Sequence, residues 1–367
     1  MLAKFSVTNY MGFPQKITWD LSQPRDYSFN SELIKDNIVK NGIIYGENGS
    51  GKTSLGRAVF DIVNLTNTAN PTNYSETIFR GSPDQYIDFE YTFIIAGNKI
   101  EYTYSKNIGG QLVKESLRQS GNIVFEKDND HLTITNEFPI ERGMMDSLVQ
   151  SANSVSILKF IFGTFPLTED HYIKKLMDFI NSMLWFRCLD ERRYIGLDTG
   201  LVNIAQYIIR NNYLKEFAEF LNLESKQTFD FSPTQRDSNI ILCKMGGYEV
   251  PFHEIISTGT SALELLFYWI KRIKESGAKF VFIDEFDAFY HFELSMNVCR
   301  TLFKEDFQVF MTSHNTMLLS NDLLRPDCGF LIDRNRIAPL SDLTSRGELR
   351  QGHNIEKMYR AGAFNLK

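Results

Sequence analysis

The chain has 367 residues, of which 43% are hydrophobic and 23% are charged, and this globular composition excludes wholesale disorder. A formal net charge of −6 argues against a basic surface over the whole chain, although a local basic patch stays open. The cysteines are dispersed without a CxxC pair, which argues against a zinc cluster or a disulfide framework and favours a reducing compartment. No stretch reaches the ~18 apolar residues of a membrane helix and no secretory signal pattern is visible, so we expect a cytoplasmic protein without membrane contact.

The first part of the chain is predicted to be rich in strands. A helical spacing over residues 53–63 interrupts them, and residues 64–86, rich in Asn, Thr and Ser, are typical of a loop. Alternating or apolar runs bounded by turn residues predict strands at 2–9, 16–21, 37–45, 86–95, 99–106, 111–119 and 123–127. The last four, separated by short turns, predict an antiparallel meander.

The rest of the chain is predicted to be helical and then alternating. Helical periodicity is expected at residues 144–152, 157–162, 169–186 and 203–221, and strands resume around 239–244 and 248–252. Helices at 261–275, 292–303 and 316–323 then alternate with strands at 279–283, 307–312 and 329–333. Such alternation is typical of a parallel, doubly wound sheet. We therefore expect an α/β fold with a mainly parallel core sheet, divided into residues 1–140 (first core half with an antiparallel β lobe), 141–230 (helical insertion) and 231–367 (second core half).

A phosphate-loop pattern stands at residues 46–53, which read GENGSGKT and fit GxxxxGK[ST]. Glycines let successive backbone N–H groups converge on a phosphate, and the helix that follows adds its positive N-terminal end. In this pattern Lys52 reaches the β and γ phosphates, and the Thr53 hydroxyl can bind Mg²⁺. The candidate nucleotide-binding residues here are Gly46, Glu47, Asn48, Gly49, Ser50, Gly51, Lys52, Thr53 and Ser54.

An apolar strand carries two carboxylates at its end, because residues 280–285 read FVFIDE. Open α/β sheets bind ligands at the carboxyl ends of their strands. We therefore expect Asp284 to hold Mg²⁺ opposite Thr53. Glu285, one residue further on, is expected to polarise an attacking water.

The spacing of these motifs indicates the class of nucleotide-hydrolysing enzyme. Lys52 and Asp284 are 232 residues apart, much further than in ring-forming AAA+ proteins or small GTPases. A long gap filled with antiparallel strands and helices is the layout of ABC-type P-loop ATPases. That class predicts a Ser/Gly motif at a helix N-terminus shortly before the acidic strand, and residues 257–260 read STGT before a helical pattern.

The same class places a histidine after the next strand, and His314 follows the run FQVFMTS. An imidazole there can donate to the γ-phosphate and help to order the attacking water. The residues of the Ser/Gly motif would bind the γ-phosphate of a partner subunit's nucleotide, and they are Ser257, Thr258, Gly259 and Thr260. One chain cannot present both halves to the same ATP, so the implied active unit is a head-to-tail dimer or a higher oligomer.

Taken together, GENGSGKT, STGT, FVFIDEFDAFYH and FMTSH resemble the ABC-like ATPases of the SMC and OLD group, and more closely the compact AAA ATPases of bacterial abortive-infection and other anti-phage systems. The opening FSVTNYMGF, the segment FEYTFIIAGNKIEYTYS and the tail LRQGHNIEKMYRAGAF resemble the first strand, the early antiparallel lobe and the tail of that group. The helical middle resembles it poorly, the tail ends in AGAFNLK instead of GxYGxxP, and the glutamine loop of ABC enzymes has only Gln85 as a weak candidate.

The resemblance implies an ATPase that uses ATP and Mg²⁺, with slow or partner-regulated turnover; the choice of ATP over GTP depends on the resemblance alone. Families of this kind often work beside a second protein that carries a nuclease or a toxin. The 53 residues after His314 are too few for such a domain, so we expect a separate effector. The chain would then be a sensor or switch in anti-phage defence, with DNA or a phage protein as its trigger.

Two other functions stay open at this point. One is a DNA-repair or chromosome-organising ATPase of the same fold, and the other is a binding module in which ATP stabilises an assembly with negligible turnover. Two basic clusters could form salt bridges on solvated faces or contact DNA or a protein inhibitor. They consist of Arg187, Arg192 and Arg193, and of Arg334, Arg336, Arg346 and Arg350.

Overall fold

The computed structural model describes residues 1–66, 85–128, 131–150, 155–188, 194–197, 203–232, 239–344 and 348–366. Its strands are β1 (Leu2–Thr8), β2 (Ile17–Asp20), β3 (Ile34–Lys35), β4 (Ile38–Val39), β5 (Asn41–Tyr45), β6 (Tyr86–Ile95), β7 (Asn98–Asn107), β8 (Leu112–Gln119), β9 (Asn122–Asp128), β10 (His131–Ile134), β11 (Met183–Arg187), β12 (Tyr194–Gly196), β13 (Leu242–Met245), β14 (Tyr248–Pro251), β15 (Phe280–Asp284), β16 (Gln308–Ser313), β17 (Gly329–Ile332) and β18 (Ile337–Pro339). Its α-helices are α1 (Lys52–Val59), α2 (Asp61–Thr66), α3 (Arg142–Gln150), α4 (Ile157–Thr164), α5 (Tyr172–Asn181), α6 (Ile204–Arg210), α7 (Leu214–Ser225), α8 (Phe252–Ile255), α9 (Thr258–Ser276), α10 (Phe292–Phe303) and α11 (Ile355–Arg360).

The core sheet has the strand order β12-β11-β15-β16-β5-β17-β18. Its inner strands, from β11 to β17, run parallel, and the two edge strands are antiparallel to their neighbours. Strands β5, β15 and β16 are buried at every position, as expected for strands that are covered on both faces. Parallel strands end at one edge of the sheet, so the segments that begin at Gly46, Glu285 and His314 emerge side by side.

A second sheet of seven antiparallel strands has the order β10-β9-β8-β7-β6-β1-β2. Strands β6 to β9 form the predicted meander. Strand β1 pairs antiparallel with β6 along its length, with a shift of register between Leu2 and Lys4. Trp19 of β2 packs edge-on against Phe310 and Phe330 of the core sheet, with ring centroids 4.5 and 5.9 Å away. The predicted α/β class, with its parallel core sheet and antiparallel β lobe, is therefore confirmed.

Helix α1 lies between the two sheets. An added Cβ at Gly56 would come within 2.7 Å of the Trp185 ring on β11 and 2.8 Å of the Phe282 ring on β15. From the other sheet, the Tyr91 hydroxyl on β6 donates to the carbonyl of Ala58 at 3.0 Å. Close packing on both sides thus fixes the helix that follows the phosphate loop.

Helix α2 is tied to the antiparallel sheet by a buried ion pair. The Lys106 ammonium on β7 lies 2.6 Å from the Asp61 carboxylate, and their side chains are 8% and 4% exposed. The Tyr104 hydroxyl donates to the same carboxylate oxygen at 2.8 Å. Asp61 is therefore satisfied by two partners from one strand of the second sheet.

The predicted helix over residues 169–186 was wrong at its C-terminal end. Helix α5 stops at Asn181, and Met183–Arg187 forms β11, an inner strand of the core sheet that pairs in parallel with β15. A short apolar run fits a buried strand and a buried helix equally well, and its pairing partner follows much later in the chain. The middle of the chain thus contributes a strand to the core sheet as well as helices.

Three other predicted helices differ from the structure. The pattern over 53–63 is divided at Phe60 into α1 and α2, and the pattern over 203–221 is divided into α6 and α7 around Asn212, whose φ is 57°. The predicted helix at 316–323 is a single 3₁₀ turn at Thr316–Leu318. Most of the predicted loop at 64–86 lies outside the described residues, and the division into residues 1–140, 141–230 and 231–367 stays a prediction.

Within the described ranges, none of the helices combines the length and the apolar character needed to cross a membrane.

Candidate active site

The phosphate loop follows β5 and closes around the Lys52 side chain. The Lys52 ammonium donates to the carbonyls of Gly46 at 2.8 Å and Glu47 at 3.1 Å. Gly51 has a φ of 109°, and a Cβ there would lie 2.5 Å from the buried Phe13 ring. Only glycine therefore fits at this position. Burial lowers the pKa of Lys52, although the Asp284 and Glu285 carboxylates oppose this effect.

The central contact of the site joins Thr53, at the start of α1, to Asp284, at the end of β15. The Thr53 hydroxyl donates to one carboxylate oxygen of Asp284 at 2.8 Å. The Thr312 hydroxyl on β16 donates to the other oxygen, also at 2.8 Å. Asp284 is fully buried, and burial raises its pKa, while the two hydroxyl donors and Arg187 oppose the rise.

Glu285 adopts a strained backbone conformation directly after the strand. Its φ is 52°, in the left-handed region that costs free energy for residues other than glycine and that recurs at functional sites. Its N–H donates to the Thr312 hydroxyl at 2.7 Å. Its carboxylate accepts a hydrogen bond of 2.8 Å from the guanidinium of Arg187, at the end of β11. Thr312 and Arg187 thus fix the backbone and the side chain of Glu285.

His314 is brought to the same edge by β16. The preceding residue, Ser313, donates to the Asp287 carboxylate at 2.6 Å, which joins the end of β16 to the segment that follows β15. Burial and the Lys52 ammonium lower the pKa of His314, while Glu285 and Asp284 oppose this effect. The lowered pKa favours the neutral imidazole, whose single N–H can donate a hydrogen bond.

The Ser/Gly motif stands at the N-terminus of α9. Ser257 caps the helix by accepting from the Thr260 N–H at 3.2 Å, and the Thr260 hydroxyl donates to the Gln227 side chain at 2.8 Å. A Cβ on Gly259 would lie 3.0 Å from the Phe289 carbonyl, whereas Thr258 is exposed. No hydrogen bond between described residues joins this motif to the phosphate loop of the same chain.

The residues around Thr53 and Asp284 fit a magnesium ion. The described part of the chain holds no group of three or more His, Cys, Asp and Glu side chains that could bind a metal. Magnesium instead uses one or two carboxylates together with substrate phosphates. The Thr53 hydroxyl and the Asp284 carboxylate are oxygen donors, and a fully buried carboxylate favours a nearby cation. The donor set therefore matches the predicted site, in the presence of a nucleotide.

The structure brings the phosphate loop, Asp284, Glu285 and His314 to one edge of the core sheet, and the roles expected for them stay predictions. The Ser/Gly motif lies at the N-terminus of α9 and has no hydrogen bond to that group among the described residues. The structure adds Arg187 and Thr312, which the sequence reasoning did not place here. Arg187 reaches the site because it ends β11, which the sequence did not predict as a strand. For Thr312 the sequence does contain a signal, since this hydroxyl residue lies two positions before His314 in the strand that ends at the site. Of the predicted basic clusters, Arg192, Arg193 and Arg346 lie outside the described residues.

Comparison with known proteins gives one family match. A family model described as "AAA domain, putative AbiEii toxin, Type IV TA system" matches residues 43–162 and 177–320. None of the curated proteins matches the chain.

Several solved structures are similar in fold at low sequence identity. An SMC head bound to the C-winged helix domain of ScpA has a TM-score of 0.49 at 16% identity, and the match covers 92% of this chain and 96% of that chain. The SMC head domain from Thermotoga maritima has a TM-score of 0.46 at 16% identity, covering 92% and 98%. The recombination mediator RecF with ATP has a TM-score of 0.41 at 16% identity, covering 93% and 99%.

Proposed function

The chain belongs to this AAA-domain family of ATPases, and from that premise we propose that it is a Mg²⁺-dependent ATPase that acts as a sensor or switch in bacterial anti-phage defence. In this proposal two copies bind ATP head to tail, and their closing and opening gate a separate effector protein that is a nuclease or a toxin. The family's description, which names the AbiEii toxin and type IV TA systems, supports the part that concerns defence.

One observation carries the catalytic part of the proposal. The hydroxyl of Thr53 lies 2.8 Å from the carboxylate of Asp284. Thr53 lies in the first and Asp284 in the second of the two segments that the family model matches. This contact supports a magnesium site formed by both side chains at the N-terminus of α1, where backbone N–H groups favour a bound phosphate. When bound, Mg²⁺ would neutralise negative charge on the phosphates.

The remaining side chains suit hydrolysis of the γ-phosphate. In the proposed reaction the oxygen of a water molecule bonds to the γ-phosphorus, the bond to the β–γ bridging oxygen breaks, and Glu285 accepts the proton of the water. Lys52 and the neutral His314 donate hydrogen bonds to the γ-phosphate oxygens, where charge develops. The products are ADP and inorganic phosphate. Glu285 must leave the Arg187 guanidinium before it can accept the proton.

The N-terminus of α9 supports the proposed dimer. This helix has 19 residues and is capped by Ser257, so its positive end and the exposed Thr258 can meet an anion from another molecule. Among the described residues, the hydrogen bonds of the motif join Ser257, Thr260 and Gln227, and none reaches the phosphate loop. A second copy could therefore supply the γ-phosphate that α9 binds.

The test measures phosphate release, assembly and defence on the same variants. We expect the purified chain to release phosphate from ATP with Mg²⁺ but not with EDTA, and light scattering to show a dimer with ATP and a monomer without it. Lys52→Ala should abolish all three, including protection of cells that carry the gene with its native neighbours in a phage plating assay. Lys35→Ala, which removes a half-exposed lysine paired with Asp306, is the control. A wild-type chain without Mg²⁺-dependent phosphate release would refute the proposal.

A further inference from the structure

A cavity of about 590 Å³ opens beside the phosphate loop, within the ~300–1,000 Å³ range of small-molecule sites. Three parts of the chain form its walls: the loop from Gly46 to Ser50, the turn after β17 with Arg334, and the C-terminal tail with Tyr359 and Phe364. The tail adds apolar and aromatic surface, whereas the loop adds backbone N–H and C=O groups. This combination suits a ligand with one polar and one flat apolar part.

The tail is held in place by backbone hydrogen bonds. After α11, the N–H of Gly362 donates to the Tyr359 carbonyl at 2.9 Å, and the N–H of Asn365 donates to the Leu343 carbonyl at 3.0 Å. Phe364 also forms an isolated β-bridge with Thr344. The tight turn therefore brings Tyr359 and Phe364 to the same cavity, and the β-bridge keeps them there.

The cavity lies on the side of the phosphate loop that is open to the rest of a nucleotide. On another side of the loop, the Phe13 ring is fully buried against Gly51 and leaves no room. Towards β15, the Thr53 and Asp284 contact occupies the space next to the loop. A nucleotide held by its phosphates can extend its ribose and base into the cavity, where the Arg334 side chain donates to the Gly49 carbonyl at 3.3 Å.

We propose that the C-terminal tail forms a base-binding subsite, in which Tyr359 and Phe364 contact the purine ring of the bound nucleotide and Arg334 lies at the rim. This inference depends on the proposed function, because it requires a nucleotide in the phosphate loop. Flat aromatic rings bind bases by stacking and do so with little dependence on base identity. The tail would thus be part of the nucleotide site, although it lies outside the residues that the family model matches.

The test separates binding of the base from binding of the phosphates. Isothermal titration would compare ATP with inorganic tripolyphosphate, which has no base, on the wild type, Tyr359→Ala, Phe364→Ala, and the control Tyr248→Ala, an exposed tyrosine of β14. We expect each tail variant to bind ATP about tenfold or more weakly and tripolyphosphate within about twofold of the wild type. Tyr359→Phe, which keeps the ring, should retain the affinity for ATP.

A second measurement does not depend on the folding of a variant. Photolysis of the wild-type chain with 8-azido-ATP should label a peptide that contains Tyr359 or Phe364, and excess ATP should prevent the labelling. Tail variants that bind ATP normally, or labelling confined to other peptides, would overturn the base-binding subsite while leaving the proposed function intact. A wild-type chain that binds neither ATP nor tripolyphosphate would contradict both the base-binding subsite and the proposed function.

Discussion

The guanidinium of Arg187, at the end of β11, lies 2.8 Å from the carboxylate of Glu285 and 3.7 Å from that of Asp284. Arg187 therefore contacts both acidic residues proposed for catalysis, one as a hydrogen-bond donor and the other as a nearby cation. This hydrogen bond engages the Glu285 carboxylate, which in the proposed reaction must accept a proton from water. We infer that Arg187 positions the two carboxylates, and the proposed reaction then requires its contact with Glu285 to open before hydrolysis.

Replacement of Arg187 by Met should make nucleotide binding more sensitive to acid. Arg187 lowers the pKa of Asp284, whereas burial raises it, so removal of the arginine raises this pKa further. In the variant the carboxyl group of Asp284 becomes protonated at a higher pH, and the proposed magnesium site requires the ionised form. We expect the affinity for Mg²⁺ and ATP to fall more steeply towards acid pH in the variant than in the wild type, and the two to converge as the pH rises.

Titration of a fluorescent ATP analogue over a series of pH values would measure the effect. Arg118→Met is the control, because the Arg118 side chain on β8 is 42% exposed and lies 3.9 Å from Glu126, its ion-pair partner. Parallel pH profiles for the wild type and Arg187→Met would show that Arg187 does not act through Asp284.

Replacement of Glu285 by Gln should separate binding from turnover. The amide keeps the size of the side chain but cannot accept a proton from water, and a positioned general base contributes about 10²–10⁴-fold to a rate. We expect phosphate release to fall by that factor while ATP affinity is kept and the ATP-bound dimer accumulates. Glu293→Gln, on the exposed first turn of α10, is the control, and equal turnover by the Glu285 variant would exclude the assigned role.

The parts of the site that the sequence predicted are those defined within one short segment. The loop around Lys52 and the carboxylates after β15 both depend on residue types at fixed spacing directly after a buried strand. The same applies to His314 after β16. The core sheet then brings these segments together, because parallel strands end at one edge.

The parts that the sequence did not predict depend on pairing between distant segments. Met183–Arg187 forms an inner strand because β15 accepts it as a neighbour, and its apolar run alone fits a helix equally well. Without that strand, nothing in the sequence connects Arg187 with the site, and its pattern indicates only a basic cluster. The contribution of Tyr359 and Phe364 to a cavity likewise requires the three-dimensional position of the tail.

Replacement of Asp284 by Asn should stabilise the nucleotide-free protein at pH 7. Burial raises the pKa of Asp284 above its ordinary value, so the native state binds more protons than the unfolded state between these two values. The free energy of unfolding therefore falls as the pH rises through this window, and ionised Asp284 lowers it at pH 7. The neutral amide removes that cost and can still bond with the Thr53 and Thr312 hydroxyls.

Thermal unfolding should show a melting temperature about 2 °C or more higher without nucleotide. The added stabilisation by ATP and Mg²⁺ should be lost, because the amide is a poor ligand for the ion. A lower melting temperature of the nucleotide-free variant would contradict this account of Asp284.

Removal of the Lys106 ammonium should destabilise the fold much more than removal of an exposed lysine. In Lys106→Met the buried Asp61 loses its cation, and such a loss costs about 3–5 kcal/mol. The double variant with Asp61→Asn should recover most of this free energy of unfolding in urea. Lys114→Met on the adjacent strand is the control, since its pair with Asp128 is more than half exposed and contributes at most ~1 kcal/mol. Equal costs for Lys106 and Lys114 would contradict the assigned importance of burial.

Replacement of Thr258 by Glu should prevent formation of the dimer without affecting the folding or ATP binding of the variant chain. A carboxylate at the first turn of α9 is favourable for the helix, and Ser257 can still cap it, but the same charge repels a partner's γ-phosphate. We expect the variant to bind ATP normally, to stay monomeric by light scattering and to lose phosphate release, while Thr258→Ser behaves as the wild type. An equimolar mixture with inactive Lys52→Ala should regain up to about half of wild-type turnover, because neither variant pairs with itself and each mixed dimer holds one intact composite site of two. If the mixture stays inactive while Thr258→Glu alone hydrolyses ATP, the Ser/Gly motif does not act on a partner's nucleotide.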